Sequence, residues 1–268
     1  MTAPRILLSA ALTAALVFAA APLTAQPTPS TGYQAVLCLK VEAAKTADFH
    51  KWISEVIHKL VQSRIDDGTL SRWELYRGIV PQGTDAKCDY VAVNSYPGVP
   101  SEPVSGDGLT AELKKAGIPL TSQEYAERRN SVERLVETSI GQTRLSVGSA
   151  KVGDYIVVNH MKVIDMDGWI NYEKKVWQPM AESMAKDGVR TGWFVIAGVF
   201  PFGSSAGDMG ITLDVYPTWK AIFSDDDFVG RWHKVHPDME LGTTFEAYDK
   251  LRTLEYGHIL KLEDVLGK

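Results

Sequence analysis

The feature that most constrains this chain is an internal duplication. When the sequence is shifted by 120 positions against itself, nine of the 31 residues from 67 to 97 meet an identical residue, with no gap. Average composition gives roughly two such identities by chance. The matches include Asp67-Gly68 with Asp187-Gly188, Trp73 with Trp193, and Tyr96-Pro97 with Tyr216-Pro217. The chain therefore contains one structural unit twice, and its fold has to accommodate both copies.

Each copy predicts the same order of elements. Segments rich in Val, Leu and Ile between turn residues predict strands at 35–41, 72–80, 89–96 and 140–147, and again at 155–163, 192–200, 209–216 and 259–265. Apolar residues at three- and four-residue steps predict a helix that ends at each Asp-Gly pair. Thr-x-x-Glu capping boxes predict a second helix at 122–138 and at 244–256. The resulting order, β-α-β-β-α-β, is that of the ferredoxin-like unit.

We name residues 33–147 repeat 1 and residues 153–266 repeat 2. A four-stranded sheet with helices on one face leaves its other face apolar, and a second copy can cover that face. The arrangement resembles the dimeric α+β barrel superfamily in a fused form. We therefore expect an α+β fold in which two tandem ferredoxin-like repeats pack sheet to sheet as a pseudo-dimeric barrel within one chain.

The resemblance concerns element order and duplication, and it implies a fold more than an activity. The superfamily includes cofactor-free monooxygenases, enzymes that degrade small aromatic compounds, haem-degrading enzymes, and the haem-binding chlorite dismutases and dye-decolourising peroxidases. The sequence carries none of their individual motifs. What the resemblance implies is a small-molecule pocket between a sheet and its helices.

The N-terminus predicts export. Arg5 precedes an apolar run and small residues, which is typical of a signal peptide over 1–25 with cleavage near Ala25-Gln26. A retained membrane anchor is the alternative, although the run is shorter than the roughly 20 residues that cross a bilayer. Residues 26–32 predict a disordered leader, and the mature protein would be periplasmic or secreted. Cys38 and Cys88 either form a disulfide in such a compartment or are two small buried residues.

The charge of the chain argues against polyanionic partners. The net charge is −5 and the sequence has no basic cluster, whereas nucleic acids and anionic lipids require concentrated positive charge. We expect a small-molecule ligand, no nucleic acid partner and no membrane insertion of the mature chain.

Polar residues that replace apolar ones between the copies indicate where function has diverged. On the first strand, Leu37 and Cys38 of repeat 1 become Asn159 and His160, and on the third strand Asn94 becomes Asp214. The first and third strands of this unit are neighbours, so we predict His160 and Asp214 as a catalytic pair. A strand histidine suits a haem ligand, a metal ligand or a general base. It also suits a plain buried side chain with a hydrogen-bond partner.

The predicted pocket of repeat 2 contains the residues Asn159, Trp169, Tyr172, Trp193 and His236. The aromatic members suit either a cavity wall or an ordinary core. His233 and His236 are three residues apart on a helix predicted near 226–235, but no third ligand completes a shell, so we predict no metal site.

The sequence leaves three functions open. The first is a small-molecule pocket in repeat 2 with cofactor-independent, oxidoreductase-like chemistry, for which no cofactor is predicted. The second is a haem-binding protein with a repeat 2 histidine as axial ligand. The third is a non-catalytic binding protein of the cell envelope. Whether the protein is an enzyme is not decided by the sequence.

Overall fold

A computed structural model describes residues 32–83, 86–202, 209–224 and 227–267, except for the side chain of Met209. The predicted signal peptide and the predicted leader up to residue 31 lie outside these residues. None of the helices in the described ranges has the length and apolarity that crossing a bilayer requires.

The described chain contains eight β-strands and nine α-helices. The strands are β1 (Tyr33–Lys40), β2 (Arg72–Val80), β3 (Tyr90–Tyr96), β4 (Arg134–Gly148), β5 (Tyr155–Val163), β6 (Gly192–Phe200), β7 (Met209–Tyr216) and β8 (Arg252–Gly267). The helices are α1 (Thr46–Trp52), α2 (His58–Asp66), α3 (Gly106–Lys115), α4 (Ser122–Val132), α5 (Met166–Tyr172), α6 (Gln178–Lys186), α7 (Trp219–Ile222), α8 (Phe228–Val235) and α9 (Leu241–Asp249).

The strands form one closed antiparallel barrel in the order β1-β3-β2-β8-β5-β7-β6-β4. Our prediction that two ferredoxin-like sheets pack face to face as separate layers is therefore wrong. The four strands of each repeat are neighbours, but the sheets join edge to edge: β2 pairs with β8, and β4 pairs with β6. The physical reason is that an open sheet leaves unpaired backbone groups at both edges, and closure pairs all of them.

The length of the last strand in each repeat allows this closure. β4 has 15 residues and β8 has 16, whereas every other strand has seven to nine. Each long strand pairs with the first strand of its own repeat and with the second strand of the other repeat. The sequence prediction missed this because it extended the preceding helices to 138 and 256. They end at Val132 and Asp249.

The barrel wall separates two kinds of core. Its interior is filled by side chains from both repeats, including Tyr76, Val91, Val158, Val215 and Leu262. The outer face of each half is covered by the helices of that half, around Phe49 and Trp73 in repeat 1 and Trp169 and Trp193 in repeat 2. Successive strand residues point to opposite faces, so neighbours along one strand belong to different cores.

Both repeats interrupt the first helix with a π-helical segment. The segment Ile53–Ile57 separates α1 from α2, and Glu173–Trp177 separates α5 from α6. The two segments begin 120 positions apart, the offset of the sequence duplication. Such π segments frequently occur at functional sites because they redirect side chains within a helix.

One contact links the helix layer of repeat 1 to the last strand of repeat 2. His58 on α2 lies 2.6 Å from the carboxylate of Asp264 on β8, measured from Nε2 to Oδ2. The imidazole also packs edge-on against Trp73, with ring centroids 5.7 Å apart. This contact reinforces the junction at which β2 and β8 close the barrel.

Cys38 and Cys88 form a disulfide, with Cα atoms 5.2 Å apart. Cys38 lies on β1 and Cys88 lies two residues before β3, which is the neighbour of β1 in the barrel. The bond closes a loop of 50 residues that contains the first helical layer and β2.

The disulfide should stabilise the fold mainly by restricting the unfolded chain. Because the loop spans 50 residues, replacing both cysteines by serine should lower the free energy of unfolding by about 4 kcal/mol. Urea denaturation followed by far-UV circular dichroism measures this loss. Reduced wild-type protein should match the double variant, and an unchanged midpoint in both would contradict the prediction.

Candidate functional site

The structure places His160 and Asp214, the predicted catalytic pair, on opposite faces of the barrel wall. On β5 and β7 the partner of His160 is Ile211, whereas the partner of Asp214 is Val157. The side chain of His160 follows Val158 into the barrel interior, and that of Asp214 faces the helices of repeat 2. The two side chains therefore cannot act on one molecule.

His160 belongs to an aromatic stack at one end of the barrel interior. Its ring stacks on Tyr256 at 4.2 Å and on His258 at 5.0 Å between centroids. Within the described part of the chain, neither ring nitrogen of His160 has a hydrogen-bond partner. Burial lowers the pKa of both histidines from 6.5 to about 4, and for His160 the charges of His258 and Lys87 contribute in the same direction. Both rings are therefore neutral at neutral pH.

Asp214 and Asn159 lie together on the outer face of repeat 2. The Nδ2 of Asn159 donates to Asp214 at 3.0 Å and to Thr212 at 3.2 Å. Arg190 forms an ion pair with the other carboxylate oxygen of Asp214. The side chains of Asp214 and Arg190 are 14% and 20% exposed, so this polar group is reached from the surface.

A buried carboxyl group, Glu173, lies under the helices of the same repeat. Its side chain accepts a hydrogen bond from the hydroxyl of Tyr248, which in turn accepts one from the indole of Trp169 at 3.2 Å. Glu173 is 1% exposed. Burial raises its pKa from 4.5 to about 7, and the nearby Asp214 contributes in the same direction. The hydrogen bonds from Tyr248 and Trp169 lower the pKa.

The other predicted pocket residues of repeat 2 fill space instead of lining an opening. Tyr172 stacks on Tyr248 at 5.1 Å between centroids and donates to the backbone of Thr244. Trp193 is 3% exposed and pairs with Asp214 across the sheet. His236 is buried, and its Nε2 donates to the carbonyl of Val176 at 2.9 Å, a contact that holds the end of α8 against the helix layer.

A cavity of about 320 Å³ lies in repeat 1, between the sheet and the helices. Its floor and walls are mainly apolar and aromatic, formed by Leu37, Leu39, Ile53, Ile57, Leu60, Val61, Leu70, Trp73, Ala92, Tyr96, Leu109 and Tyr125. The amide of Asn94 lies within this apolar surface. The volume is within the range of roughly 300–1,000 Å³ that small-molecule sites occupy.

Two ion pairs border the cavity. Arg64 on α2 lies 2.6 Å from Glu112 on α3, and Arg129 lies 2.6 Å from Glu133 at the end of α4. Burial raises the pKa of Glu133, and the bond from Arg129 opposes that rise. The rim is therefore polar but largely charge-compensated, while the interior is apolar.

A larger groove of about 680 Å³ runs along α2 on the outside of repeat 1. It is open and its lining is mostly polar, including His58, Lys59, Gln62, Asp67 and Lys115. His58 and Lys115 are already engaged, by Asp264 and by Asp67 respectively. We assign no ligand to this groove.

Sequence reasoning missed Glu173, Tyr248 and Arg190. The first and last were detectable, because the offset of 120 aligns Ile53 with Glu173 and Leu70 with Arg190. Both replacements introduce a charge at an apolar position, but our comparison of the repeats concentrated on strands. The repeat 1 cavity had no comparable signal, because its lining resembles an ordinary core.

Glu173 should make stability depend on pH. Its pKa is about 7 in the folded protein and near 4.5 otherwise, so between these values the unfolded state releases the proton first. The free energy of unfolding should fall by roughly 3 kcal/mol as the pH rises from 4.5 to 7, and then level off. Glu173→Gln should remove this fall in urea denaturation at a series of pH values. An exposed control, Glu182→Gln, should retain it.

His160 and His258 should make the free energy of unfolding depend on pH in the opposite direction. Because their pKa values are about 4 in the folded protein and 6.5 otherwise, the unfolded state takes up protons first as the pH falls. Stability should decrease between pH 6.5 and 4, by roughly 3 kcal/mol for each ring. His160→Phe preserves stacking on Tyr256 and should remove about half of this decrease.

The exposed His233 provides the control for this acid dependence. His233→Gln should leave the acid branch of the stability profile unchanged. If His160→Phe behaves like His233→Gln, the lowered pKa of His160 is refuted.

No protein-family model matches this chain, and neither does any curated protein sequence. Among solved structures, a "putative monooxygenase" from Fusobacterium nucleatum aligns with a TM-score of 0.54 at 8% identity, over 90% of this chain and 96% of that one. A second "putative monooxygenase", from Lactobacillus acidophilus, has a TM-score of 0.49 at 12% identity, over 88% and 95%. A DyP-type peroxidase from Mycobacterium smegmatis has a TM-score of 0.46 at 10% identity, over 90% and 94%.

At these identities the likeness concerns the fold alone. The alignment with the Fusobacterium protein extends over nearly all of both chains, so the whole duplicated barrel is shared and not one repeat only. The resemblance to the dimeric α+β barrel superfamily is therefore confirmed as a resemblance of fold, with no specific family assigned.

Proposed function

We propose that this protein binds a small, mainly apolar molecule in the cavity of repeat 1. The observation that carries the proposal is the cavity itself, about 320 Å³ of space between the sheet and the helices of repeat 1, with a mainly apolar lining and a polar rim. A concave space of this size, lined mainly by apolar side chains with a few polar groups, is the usual form of a small-molecule site.

The lining defines the chemistry of that occupant. Trp73, Tyr96 and Tyr125 offer flat surfaces to a ring or a branched chain, and Asn94 offers both a donor and an acceptor. The arginines at the rim are already paired with glutamates, so a strongly anionic ligand has no free cation to bind. We expect an uncharged molecule that carries one carbonyl, hydroxyl or amide group.

The predicted pocket of repeat 2 is less suited to such a molecule. Tyr172, Trp193 and Tyr248 are packed against one another and against the sheet, and Asp214 is engaged by Arg190 and Asn159. A pocket there stays a prediction, and oxidoreductase-like chemistry there has only the likeness of fold behind it.

The haem alternative does not fit the described residues. No histidine is among the residues that line the repeat 1 cavity. Among the described histidines of repeat 2, His160 and His258 lie inside the barrel, His236 is bound to Val176, and His233 is exposed. None of them lines either of the two cavities described above, so we derive no haem chemistry.

We also propose that the protein is exported, as its N-terminal sequence predicts. The disulfide between Cys38 and Cys88 supports this location, because such bonds persist in oxidising compartments. In that location the protein would be a periplasmic or secreted binder of small molecules, without a nucleic acid partner.

Binding can be measured with the neutral fluorophore prodan, which combines an aromatic body with one carbonyl group. Its emission should shift to shorter wavelength with the wild-type protein. Ala92→Leu places a larger side chain inside the cavity and should weaken binding at least tenfold. Asn94→Leu removes one hydrogen-bond partner and should weaken it by roughly fivefold, equivalent to about 1 kcal/mol.

An exposed asparagine of repeat 2 supplies a control. Asn171→Leu makes the same replacement on the surface of α5 and should leave prodan binding unchanged. Circular dichroism establishes that each variant is folded. Equal affinity in the wild type, Ala92→Leu and Asn94→Leu would refute the assignment of the cavity.

A further inference from the structure

One end of the barrel exposes a ring of large apolar side chains. At this end β1, β2, β5 and β6 finish and the other four strands begin. Six apolar residues on or next to these strand ends are between 41% and 75% exposed. We name them the apolar rim: Val80, Leu135, Ile164, Phe200, Phe202 and Leu254.

The apolar rim has equivalent members in both repeats. Val80 and Phe200 are the last residues of β2 and β6, at the offset of 120 that relates the copies. Leu135 and Leu254 pair with equivalent positions of β1 and β5. Isolated exposed apolar residues are ordinary on a protein surface, but a cluster of them marks a surface that another molecule covers. Both copies contribute to this cluster at matching positions.

Two lengths of strand edge lie at the same end. Closure pairs the sheet edges along the body of the barrel, and β4 and β8 also extend beyond it. Residues 134–139 of β4 pair with β1 alone, because β6 first meets β4 at Ile140. Residues 252–258 of β8 pair with β5 alone, because β2 first meets β8 at Ile259. We name these two segments the overhangs. In the described chain their outer edges have no backbone partner, and such edges are templates for pairing with another chain.

The area of the apolar rim matches what a stable protein interface requires. If a fully exposed large apolar side chain offers roughly 150–200 Å², the exposed fractions of the six residues amount to roughly 500–650 Å². A specific interface buries about 800 Å² on each partner, of which somewhat more than half is apolar. The rim alone therefore supplies the apolar part of an interface of ordinary size.

A second copy of this chain suits the end of the barrel better than a lipid surface does. When two barrels meet head to head, their strands run in opposite directions, which is the orientation that antiparallel pairing of two overhangs needs. Lys40 and Lys87 lie at this end, but they are paired with Asp89 and Glu137. The net charge of the chain is −5. An anionic membrane attracts clusters of free basic residues, and these two lysines do not provide one.

We propose that the apolar rim and the overhangs form the interface of a head-to-head homodimer. Its twofold axis is perpendicular to the barrel axis, so each copy contributes the same surface. The rim residues of the two copies pack on one another, and each overhang pairs with an overhang of the other copy. None of the rim residues lines the cavity of repeat 1. The dimer is therefore independent of the ligand proposed for that cavity.

Sedimentation velocity over a range of protein concentrations tests the dimer. We expect the wild type to dimerise with a Kd on the order of micromolar or tighter, as interfaces of this size do. Phe200→Lys and Leu254→Lys each place a charge on both sides of the interface and should weaken dimerisation roughly tenfold or more. The controls are Val99→Lys and Val152→Lys, which alter exposed valines at the opposite end of the barrel and should leave dimerisation unchanged. Circular dichroism establishes that each variant is folded.

Hydrogen–deuterium exchange tests the pairing of the overhangs. It compares the wild type with Phe200→Lys, whose substitution lies in neither overhang, at a concentration where the first is a dimer and the second a monomer. Peptides that cover 134–139 and 252–258 should exchange more slowly in the wild type, because pairing protects their amides. A peptide that covers 98–105 should exchange equally in both.

Three results would overturn the proposal. The first is a wild type that stays monomeric at a concentration on the order of 100 µM, far above the expected Kd. The second is a dimer that Phe200→Lys and Leu254→Lys leave intact, or one in which the overhangs gain no protection. The third is a monomer that sediments with vesicles of phosphatidylcholine and phosphatidylglycerol and loses this binding in the two rim variants, which would assign the rim to a lipid surface.

Discussion

Closure of the barrel by β4 and β8 is the constraint on which the rest of the structure depends. Each of these strands spans the boundary between the repeats, pairing with β1 or β5 on one side and with β6 or β2 on the other. Neither repeat can therefore complete its own hydrogen-bond ladder alone. Closure also fixes which residues point inward, and this alternation separates His160 from Asp214 although they lie on neighbouring strands.

The barrel wall separates three environments: the interior, the outer face of repeat 1 and the outer face of repeat 2. The interior is shared and mainly apolar, with the stack of His160, Tyr256 and His258 at one end. The outer face of repeat 1 retains a mainly apolar cavity, and the same face of repeat 2 carries polar residues that include Asn159, Arg190 and Asp214. A common arrangement of strands therefore supports two outer faces that differ in their side chains and in the helices that cover them.

Much of this organisation was predictable from sequence, and what was missed has identifiable physical causes. The duplication predicted six of the eight strands close to their observed bounds, and it drew attention to Asn159 and Asp214, which do lie together. The closure was missed because it depends on where α4 and α9 end. The capping box at Thr121 marks the start of α4, but the predicted box at Thr243 is wrong, because α9 begins at Leu241 with Glu240 as its N-cap. Arg134 and Arg252 begin strands within segments that the prediction assigned to helices. The cavity was missed because its volume depends on how side chains from distant segments of the chain pack together, and no local sequence pattern predicts that packing.

The burial of Glu173 connects the stability of the fold to pH. An isoleucine at the equivalent place in repeat 1 is 4% exposed and belongs to the core, so the backbone accepts an apolar residue there. Replacing it by a carboxyl group costs stability at neutral pH, whereas the histidines inside the barrel cost stability only in acid. The hydrogen bonds from Tyr248 and Trp169 offset part of that cost, because they favour the charged form of Glu173. The net effect is a fold that loses stability as the pH rises towards 7.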